Sequence, residues 1–209
     1  MSPFSRMRKL LGILVFVAAA GLIYRCRPGA APAFQRAPAP IACGLRCGTE
    51  RWLVKTLSDP ERDQVDMRSK RTSVAELAML PRPDVLPETG RAPGAERSTF
   101  VVDAYLAGWD AEADGDIHLI LADPKDQTIT LIAEIPDPGC SGACSSGFAQ
   151  AYAEARSVLE AGLARPNRED RPLRVEVTGV GFFDRNHGQT GAAPNFVELH
   201  PVLALRFLE

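Results

Sequence analysis

The pattern that most constrains the fold runs from Ser98 to the C-terminus, where strand-like segments surround a single amphipathic one. Three strand-like segments come first: FVVDAYLAGWDAEA, DIHLILAD and TITLIAEIP. The next segment has helical spacing and ends at Arg165-Pro166. Its apolar stripe comprises Phe148, Tyr152, Ala155, Leu159 and Leu163. Two further strand-like segments follow, LRVEVTGVGFF and FVELHPVLALRF. The order is therefore three strands, a helix and two strands.

This order is typical of an OB-fold barrel, in which the helix lies between strands three and four. Asp114-Gly115 predicts a hairpin turn between the first two strands. Gly179 and Gly181 would let the fourth strand bend, as the closure of a small barrel requires. We therefore predict a mainly β protein with a five-stranded OB-like barrel over residues 98–209. An open α+β sandwich of the same strands is the alternative.

The N-terminal region resembles a targeting segment. Basic residues precede an uncharged apolar run from Leu10 to Tyr24, which suits a signal peptide and is shorter than the roughly 20 residues that cross a bilayer. Arg25 and Arg27 follow, and positive charge at that place hinders translocation. Residues 1–27 are therefore predicted to be a signal peptide or an uncleaved membrane anchor. Residues 28–42 are rich in Pro and Ala and are predicted to be an extended linker.

Residues 43–97 are predicted to cover the barrel. RWLVKTL at 51–57 suits either a short strand or a short helix. Ser73 and Glu76 form a capping box that predicts a helix over Val74–Leu80. Residues 81–97 hold four prolines and show no periodicity, which predicts a loop.

Four cysteines lie outside the leader, in CGLRC and CSGAC: Cys43, Cys47, Cys140 and Cys144. An even number in an exported chain favours two disulfides, with three pairings open. The alternative is a four-cysteine zinc site, because a spacer of this length is tolerated there. In both interpretations, the cysteines link the N-terminal segment to the strand region. We expect an exported protein that is periplasmic, secreted or held at the membrane by its N-terminal segment alone.

Charge is distributed unevenly along the chain. Residues 1–97 hold 16 Lys/Arg and 9 Asp/Glu, a balance of +7, whereas residues 98–209 hold 8 and 17, a balance of −9. Generic binding to nucleic acid requires Lys and Arg that neutralise phosphates, so the acidic barrel disfavours it. An acidic surface favours cations or basic partners instead.

Strand alternation places four polar residues outside the barrel. His118, Glu134, Glu198 and His200 each alternate with apolar neighbours. The third strand of an OB barrel lies between the second and the fifth, so these four residues are predicted to share one outer face. Asp184 and His187 lie in the loop between strands four and five, on the side where OB domains bind ligands. The six residues together are the ligand-binding candidates.

These candidates leave two functions open. Imidazoles with carboxylates can hold zinc or another divalent ion and activate a water, with His118, His187 and His200 as the metal candidates. A metal-dependent hydrolase of the phosphodiesterase or nuclease kind would follow, by analogy of fold alone. The leading interpretation is a binding or interaction module of the cell envelope for a small ligand or an envelope partner. A purely structural role also stands open, in which these groups hydrogen-bond the covering segment.

Four stretches, CGTERWLVKTLSD, DGDIHL, AEIPDPGC and VTGVGFFDRNHGQTGAAPN…ELHPV, resemble those of a group of bacterial exported OB-like proteins with no established activity. The likeness covers most of residues 47–203 and is most specific in the last stretch. The resemblance implies that these stretches belong to one folded unit. It implies no reaction.

Overall fold

The computed structural model describes residues 43–44, 47–164 and 172–209. The predicted leader and linker, residues 1–42, lie outside the described residues. Each helix in the described ranges is too short or too polar to cross a membrane.

The described chain contains three α-helices and six strands, in an order that matches the predicted one from Ser98 onward. The helices are α1 (Trp52–Lys55), α2 (Val74–Ala78) and α3 (Ala149–Leu163). The strands are β1 (Asp66–Thr72), β2 (Ser98–Ala111), β3 (Ile117–Ala122), β4 (Thr130–Ile135), β5 (Leu173–Phe183) and β6 (Val197–Phe207). Two short 3-10 helices span Arg62–Gln64 and Ala95–Arg97.

Five of the strands close into a barrel in the order β2-β3-β4-β6-β5, and β5 pairs back onto β2. The β4–β6 pair is parallel and the other barrel pairs are antiparallel. The predicted five-stranded OB-like barrel is thus confirmed, with α3 between its third and fourth strands. The β2–β5 pairing excludes the open sandwich, because an open sheet would leave both of these strands at an edge.

Strand alternation fills the barrel as expected. Leu119, Leu121, Leu131, Ala133 and Leu199 are fully buried in one apolar core. Burying each leucine side chain stabilises the fold by about 1.5–3 kcal/mol relative to leaving it exposed. The intervening residues of the same strands point to the outer face, which positions the polar candidates.

Gly181 shows why a glycine is needed where β5 bends. A Cβ at this position would lie 2.5 Å from the carbonyl oxygen of Ala95, closer than any side chain tolerates. The pairing of β5 with β6 also shifts register between Gly179 and Gly181. The covering segment can therefore approach the strand closely at this bend.

Strand β1 was not expected from the sequence. Its residues, DMRSKRT, are mostly exposed and lack the apolar alternation that marks a half-buried strand. It pairs in parallel with the first half of β2. Lys70 donates to Ser98 and Arg71 to Glu176, so charged side chains attach this edge strand to the barrel. Charged residues on an edge strand also oppose pairing with a second chain.

The segment before β2 covers the outer face of the barrel. The stretch at 51–57 contains the helix α1 rather than a strand, and the Ser73–Glu76 capping box is present, although α2 ends at Ala78. Two buried ion pairs, Arg51–Glu96 and Arg91–Asp59, connect parts of this segment to each other. Glu96 also accepts a hydrogen bond from the backbone of Phe183, which attaches the segment to the end of β5.

Two disulfides complete this attachment. Cys43 pairs with Cys144 and Cys47 with Cys140. The four-cysteine zinc site is therefore not formed, because every one of its thiolates is used in a disulfide. Disulfides of this kind indicate an oxidising compartment outside the cytoplasm.

Candidate functional site

The outer barrel face brings four of the six candidates together across three neighbouring strands. His118 on β3 is paired with Glu134 on β4. The parallel register of β4 with β6 pairs Ala133 with Leu199, which puts Glu134 beside His200. Glu198 lies one alternation further along β6 on the same face. The strand alternation thus places these residues as the sequence predicts.

These side chains form a chain of close contacts from the buried end of the face to the surface. Asp116 Oδ2 lies 3.3 Å from Nε2 of His200, and His200 Nδ1 lies 2.8 Å from Oε2 of Glu134. The other oxygen of Glu134, Oε1, lies 3.4 Å from Nδ1 of His118. That same nitrogen lies 3.2 Å from Oε1 of Glu112. We call this row of side chains the polar row: Asp116, His200, Glu134, His118 and Glu112.

The covering segment buries most of this face. Lys55 of α1 lies over Phe182 of β5 at 5.2 Å from the ring centroid, and its Nζ is 3.7 Å from Oδ2 of Asp184. Arg51 also lies over Phe182, at 4.6 Å. Glu198 and His200 are fully buried beneath this cover. The cover therefore places a lysine ammonium among the carboxylates of the outer face.

Burial and charge together shift the pKa of the groups at the centre of the face. Burial lowers the pKa of His200, but the carboxylates of Glu134 and Asp116 outweigh it and raise that pKa to about 9. Burial raises the pKa of Glu134, but the charge of His200 and the side-chain contact with His118 hold it well below its usual range. His200 is therefore a buried imidazolium between two carboxyl groups.

The pKa values of two further carboxyl groups on this face, Glu198 and Asp116, shift upward. Burial raises the pKa of Glu198 well above its usual range, and the charges of Glu134 and Asp184 raise it further. Burial likewise raises the pKa of Asp116. Lys55 shows the complementary effect: burial lowers its pKa, but the surrounding carboxylates raise it above its usual value. The face thus combines opposite-charge pairs with carboxyl groups whose pKa is raised by burial.

The face is open at its His118 end. A groove of about 420 Å³ lies there between the β2–β3 hairpin and residues 187–190 of the β5–β6 loop. Trp109 stands in its wall with 53% of the residue exposed, and Ile120 and His118 form its floor. Asp110 and Glu112 complete its acidic side. Lysine and arginine are absent from the described residues that line it.

His187 lies apart from the polar row. Its Nε2 is 3.0 Å from Oε2 of Glu50, and the other oxygen of Glu50 is 2.8 Å from Nε of Arg185. Asp184 is buried and accepts from Gln189, with Lys55 beside it. The β5–β6 loop thus brings His187 to the rim of the groove and Asp184 beneath the cover.

Three groups of described residues have ligand atoms close enough to share a metal ion, and each contains one histidine. They are Glu50–Asp184–His187, Glu112–His118–Glu134 and Asp116–Glu134–His200. The three histidines named from the sequence therefore lie in three different groups. A hydrolytic site with two imidazoles on one ion is not formed by the described residues.

A second cavity of about 520 Å³ lies on the covering segment. It is lined by residues of α1 and by parts of 58–60, 88–90 and 141–145. Leu53 stands in it with 51% of the residue exposed. None of the six candidates from the sequence lines this cavity.

The sequence reasoning missed Lys55, Glu112, Asp116 and Trp109. Glu112 and Asp116 flank the predicted Asp114-Gly115 turn, and the amide of Glu112 donates to the carbonyl of Asp116. Their place next to His118 could have been read from the hairpin register. The position of Lys55 could not have been predicted in this way, because it depends on how the covering segment folds over the barrel.

Comparisons with known proteins add little to this picture. A search of protein-family models found no match, and neither did a search of curated proteins. A chain from Leishmania major Friedlin that is named as an aspartyl-tRNA synthetase is 12% identical, with a TM-score of 0.38. The alignment covers 68% of this chain and 21% of the synthetase chain, so this protein spans about a fifth of its length.

OBody AM3L09 bound to hen egg-white lysozyme is 13% identical, with a TM-score of 0.32, and the alignment covers 54% of this chain and 82% of that one. At these levels of similarity neither structure informs the function. The pairing of its own strands makes the chain an OB-like barrel with a covering segment, a fold that fits a binding module.

Proposed function

We propose that this protein is an exported binding module of the cell envelope that takes up a cationic ligand in the groove at the His118 end of its barrel. The observation that carries the proposal is the groove itself. The groove opens on the outer face beside the β2–β3 hairpin and borders the β5–β6 loop, where OB domains commonly bind ligands.

The lining of the groove favours a positively charged ligand. Asp110 and Glu112 supply two carboxylates, and no lysine or arginine among the described lining residues opposes them. Trp109 adds an exposed aromatic face, and cations are attracted to such a face by about 0.5–2 kcal/mol. A ligand with an ammonium or guanidinium group would contact both features together.

The location in the envelope rests on two observations of different kinds. The two disulfides require an oxidising environment to form and persist. The basic and apolar run at the N-terminus resembles an export signal. Fractionation of cells that express the full chain would test this part of the proposal, which predicts recovery outside the cytoplasm with both disulfides formed.

Calorimetry with matched peptides tests the binding function. Tetralysine is expected to bind the full-length protein and tetraglutamate is not, and the affinity for tetralysine should fall as salt is added, since salt screens the charges. Trp109→Ala should weaken binding by about fivefold or more, as expected for the loss of a cation–π contact of about 1 kcal/mol. Leu53→Ala is the matched control, because Leu53 is equally exposed but stands in the other cavity. Equal binding of the two peptides, or equal effects of the two substitutions, would contradict the proposal.

The metal-dependent hydrolase is less well supported by the geometry. Catalytic zinc sites commonly bind the ion through two or three histidines, and each described group holds a single histidine. The arginine nearest to the loop, Arg185, is paired with Glu50. It is therefore not poised to stabilise a phosphate in the groove.

A further inference from the structure

We infer that Glu112, His118 and Glu134 form a binding site for one divalent transition-metal ion at the floor of the groove. This inference deepens the proposed function by naming a ligand for the groove, and it rests on that groove being a binding site. The site uses Oε1 of Glu112, Nδ1 of His118 and Oε1 of Glu134.

The first argument is the convergence of three electron-pair donors. The three atoms all lie within 4.8 Å of one another. His118 Nδ1 is buried, with the residue only 7% exposed, and it makes no hydrogen bond of acceptable geometry within the described part of the chain. A buried nitrogen that points between two carboxylate oxygens without a hydrogen bond is the arrangement that a bound cation satisfies.

The second argument is the spacing of the donors. Ligand bonds of about 2.1 Å to a tetrahedral ion place neighbouring ligand atoms about 3.4 Å apart. The His118 nitrogen lies 3.2 Å from the Glu112 oxygen and 3.4 Å from the Glu134 oxygen. Both distances are thus close to the spacing that an ion requires.

The third argument is the orientation of the imidazole. The other ring nitrogen of His118, Nε2, lies 3.3 Å from the carbonyl oxygen of Thr190. A carbonyl only accepts hydrogen bonds, so Nε2 carries a proton in this contact, and in the neutral form of the ring the lone pair belongs to Nδ1. Metal-binding histidines are oriented in the same way, by donating their second ring N–H to a carbonyl or carboxylate.

Glu134 is oriented by its neighbour in a similar way. Its second oxygen is held 2.8 Å from His200 Nδ1, which leaves Oε1 directed at His118. One nitrogen and two carboxylate oxygens suit zinc and other first-row divalent ions better than calcium or magnesium, which take oxygen ligands. The fourth position faces the groove, where a water or a ligand group would complete the coordination.

Calorimetry on the full-length protein, freed of metal by a chelator and titrated with zinc chloride alone, tests the site. We expect one zinc ion per chain. Glu112→Gln should weaken binding at least about tenfold, since even the hydrogen-bond partners of metal ligands account for roughly 10–100-fold in affinity. Glu112 is 42% exposed at its side chain, so this variant should fold normally, and unchanged thermal unfolding without metal would verify that. Glu88→Gln in the other cavity is the matched control and should leave the affinity unchanged.

The outcomes separate this inference from the proposed function. Absence of zinc binding, or zinc binding that survives Glu112→Gln but is lost in His187→Gln, would overturn the metal site. Tetralysine binding that remains sensitive to Trp109→Ala would in that case leave the binding function standing. Zinc bound at one ion per chain and weakened only by substitutions in the Glu112–His118–Glu134 group supports the inference.

Discussion

At the scale of single residues, the most unusual feature is a lysine buried among carboxylates. Lys55 lies near Glu134, Asp184, Glu198 and Asp116, and these charges raise its pKa although burial alone would lower it. A buried charge is tolerated only when a partner compensates it. Lys55 is therefore the counter-charge that allows the outer face to be covered.

Replacing Lys55 should show its role directly. Lys55→Met keeps most of the length of the side chain but leaves the carboxylates uncompensated, and we expect a loss of about 3–5 kcal/mol in the free energy of unfolding. Lys125→Met is the matched control at an exposed position and should change that free energy by less than about 0.5 kcal/mol. Urea unfolding measures both, and equal small losses would show that the ammonium has no such role.

His200 predicts how stability depends on alkaline pH. Its pKa in the folded protein is about 9, above the ordinary value of 6.5, so the folded state binds this proton more tightly than the unfolded state does. The resulting stabilisation is complete below pH 6.5 and is lost as the pH rises through 9. The free energy of unfolding should therefore fall between pH 6.5 and pH 9, and the ring resonances of His200 should titrate near pH 9 in NMR spectra. Titration of this ring below pH 6.5 would contradict the arrangement.

At the scale of elements, strand β1 is the part of the fold held by surface charge. Glu176 of β5 accepts from Arg206 of β6 and from Arg71 of β1, so a single carboxylate connects three strands. Hydrogen bonds from these two arginines lower the pKa of Glu176 to about 2. This ionised group thus adds to the backbone pairing with β2 and the Lys70–Ser98 hydrogen bond that attach the edge strand.

Acid should loosen this attachment. The pKa of Glu176 is lower in the folded protein than its ordinary value of 4.5, so its contribution is present above pH 4.5 and is lost as the pH falls through 2. Glu176→Gln should lower stability at pH 7 by no more than about 1 kcal/mol per ion pair and should flatten the decline in acid. Glu160→Gln, at an exposed position of α3, is the control. Identical acid profiles of the two variants would be inconsistent with this role.

The elements also show where sequence reasoning succeeds and where it stops. Alternation within a strand fixes which side chains share a face, so the row of His118, Glu134 and His200 could be predicted once the strand order was known. Strand β1 could not be predicted, because its residues are polar and mostly exposed. They form a strand by pairing with β2 and not by burying an apolar face. Burial of Glu198 and His200 was equally out of reach, since it depends on α1 folding over the face. The sequence also does not show which end of the face is exposed, because this depends on which residues the covering segment buries.

At the scale of the whole molecule, the covering segment and the barrel are joined by two nested disulfides. Cys43–Cys144 closes a loop of 101 residues and Cys47–Cys140 closes one of 93 residues within it. Because the two loops nearly coincide, each bridge by itself removes most of the conformational entropy that the two bridges together remove from the unfolded chain. The second bridge therefore adds little entropy loss to the first.

Removal of the cysteines in pairs tests this redundancy. Loss of both bridges should cost about 4–5 kcal/mol, the value expected for a closed loop of roughly 100 residues. Replacing either pair by alanine should cost much less, and the two smaller losses should sum to less than the loss of both. Cys47→Ala with Cys140→Ala should be the more harmful pair, because Cys140 is buried in the core whereas Cys43 is exposed. Additive losses in thermal or urea unfolding would contradict nested closure.

The central claim is that function resides in the groove at the His118 end of the outer barrel face. Hydrogen–deuterium exchange of the full-length protein with and without tetralysine tests it most directly, because the exchange reports where along the chain the peptide acts. We predict slower exchange in residues 108–112 and 187–191, which border the groove. Slower exchange confined to residues 48–60 and 141–145, around the other cavity, or no change at all, would contradict the claim.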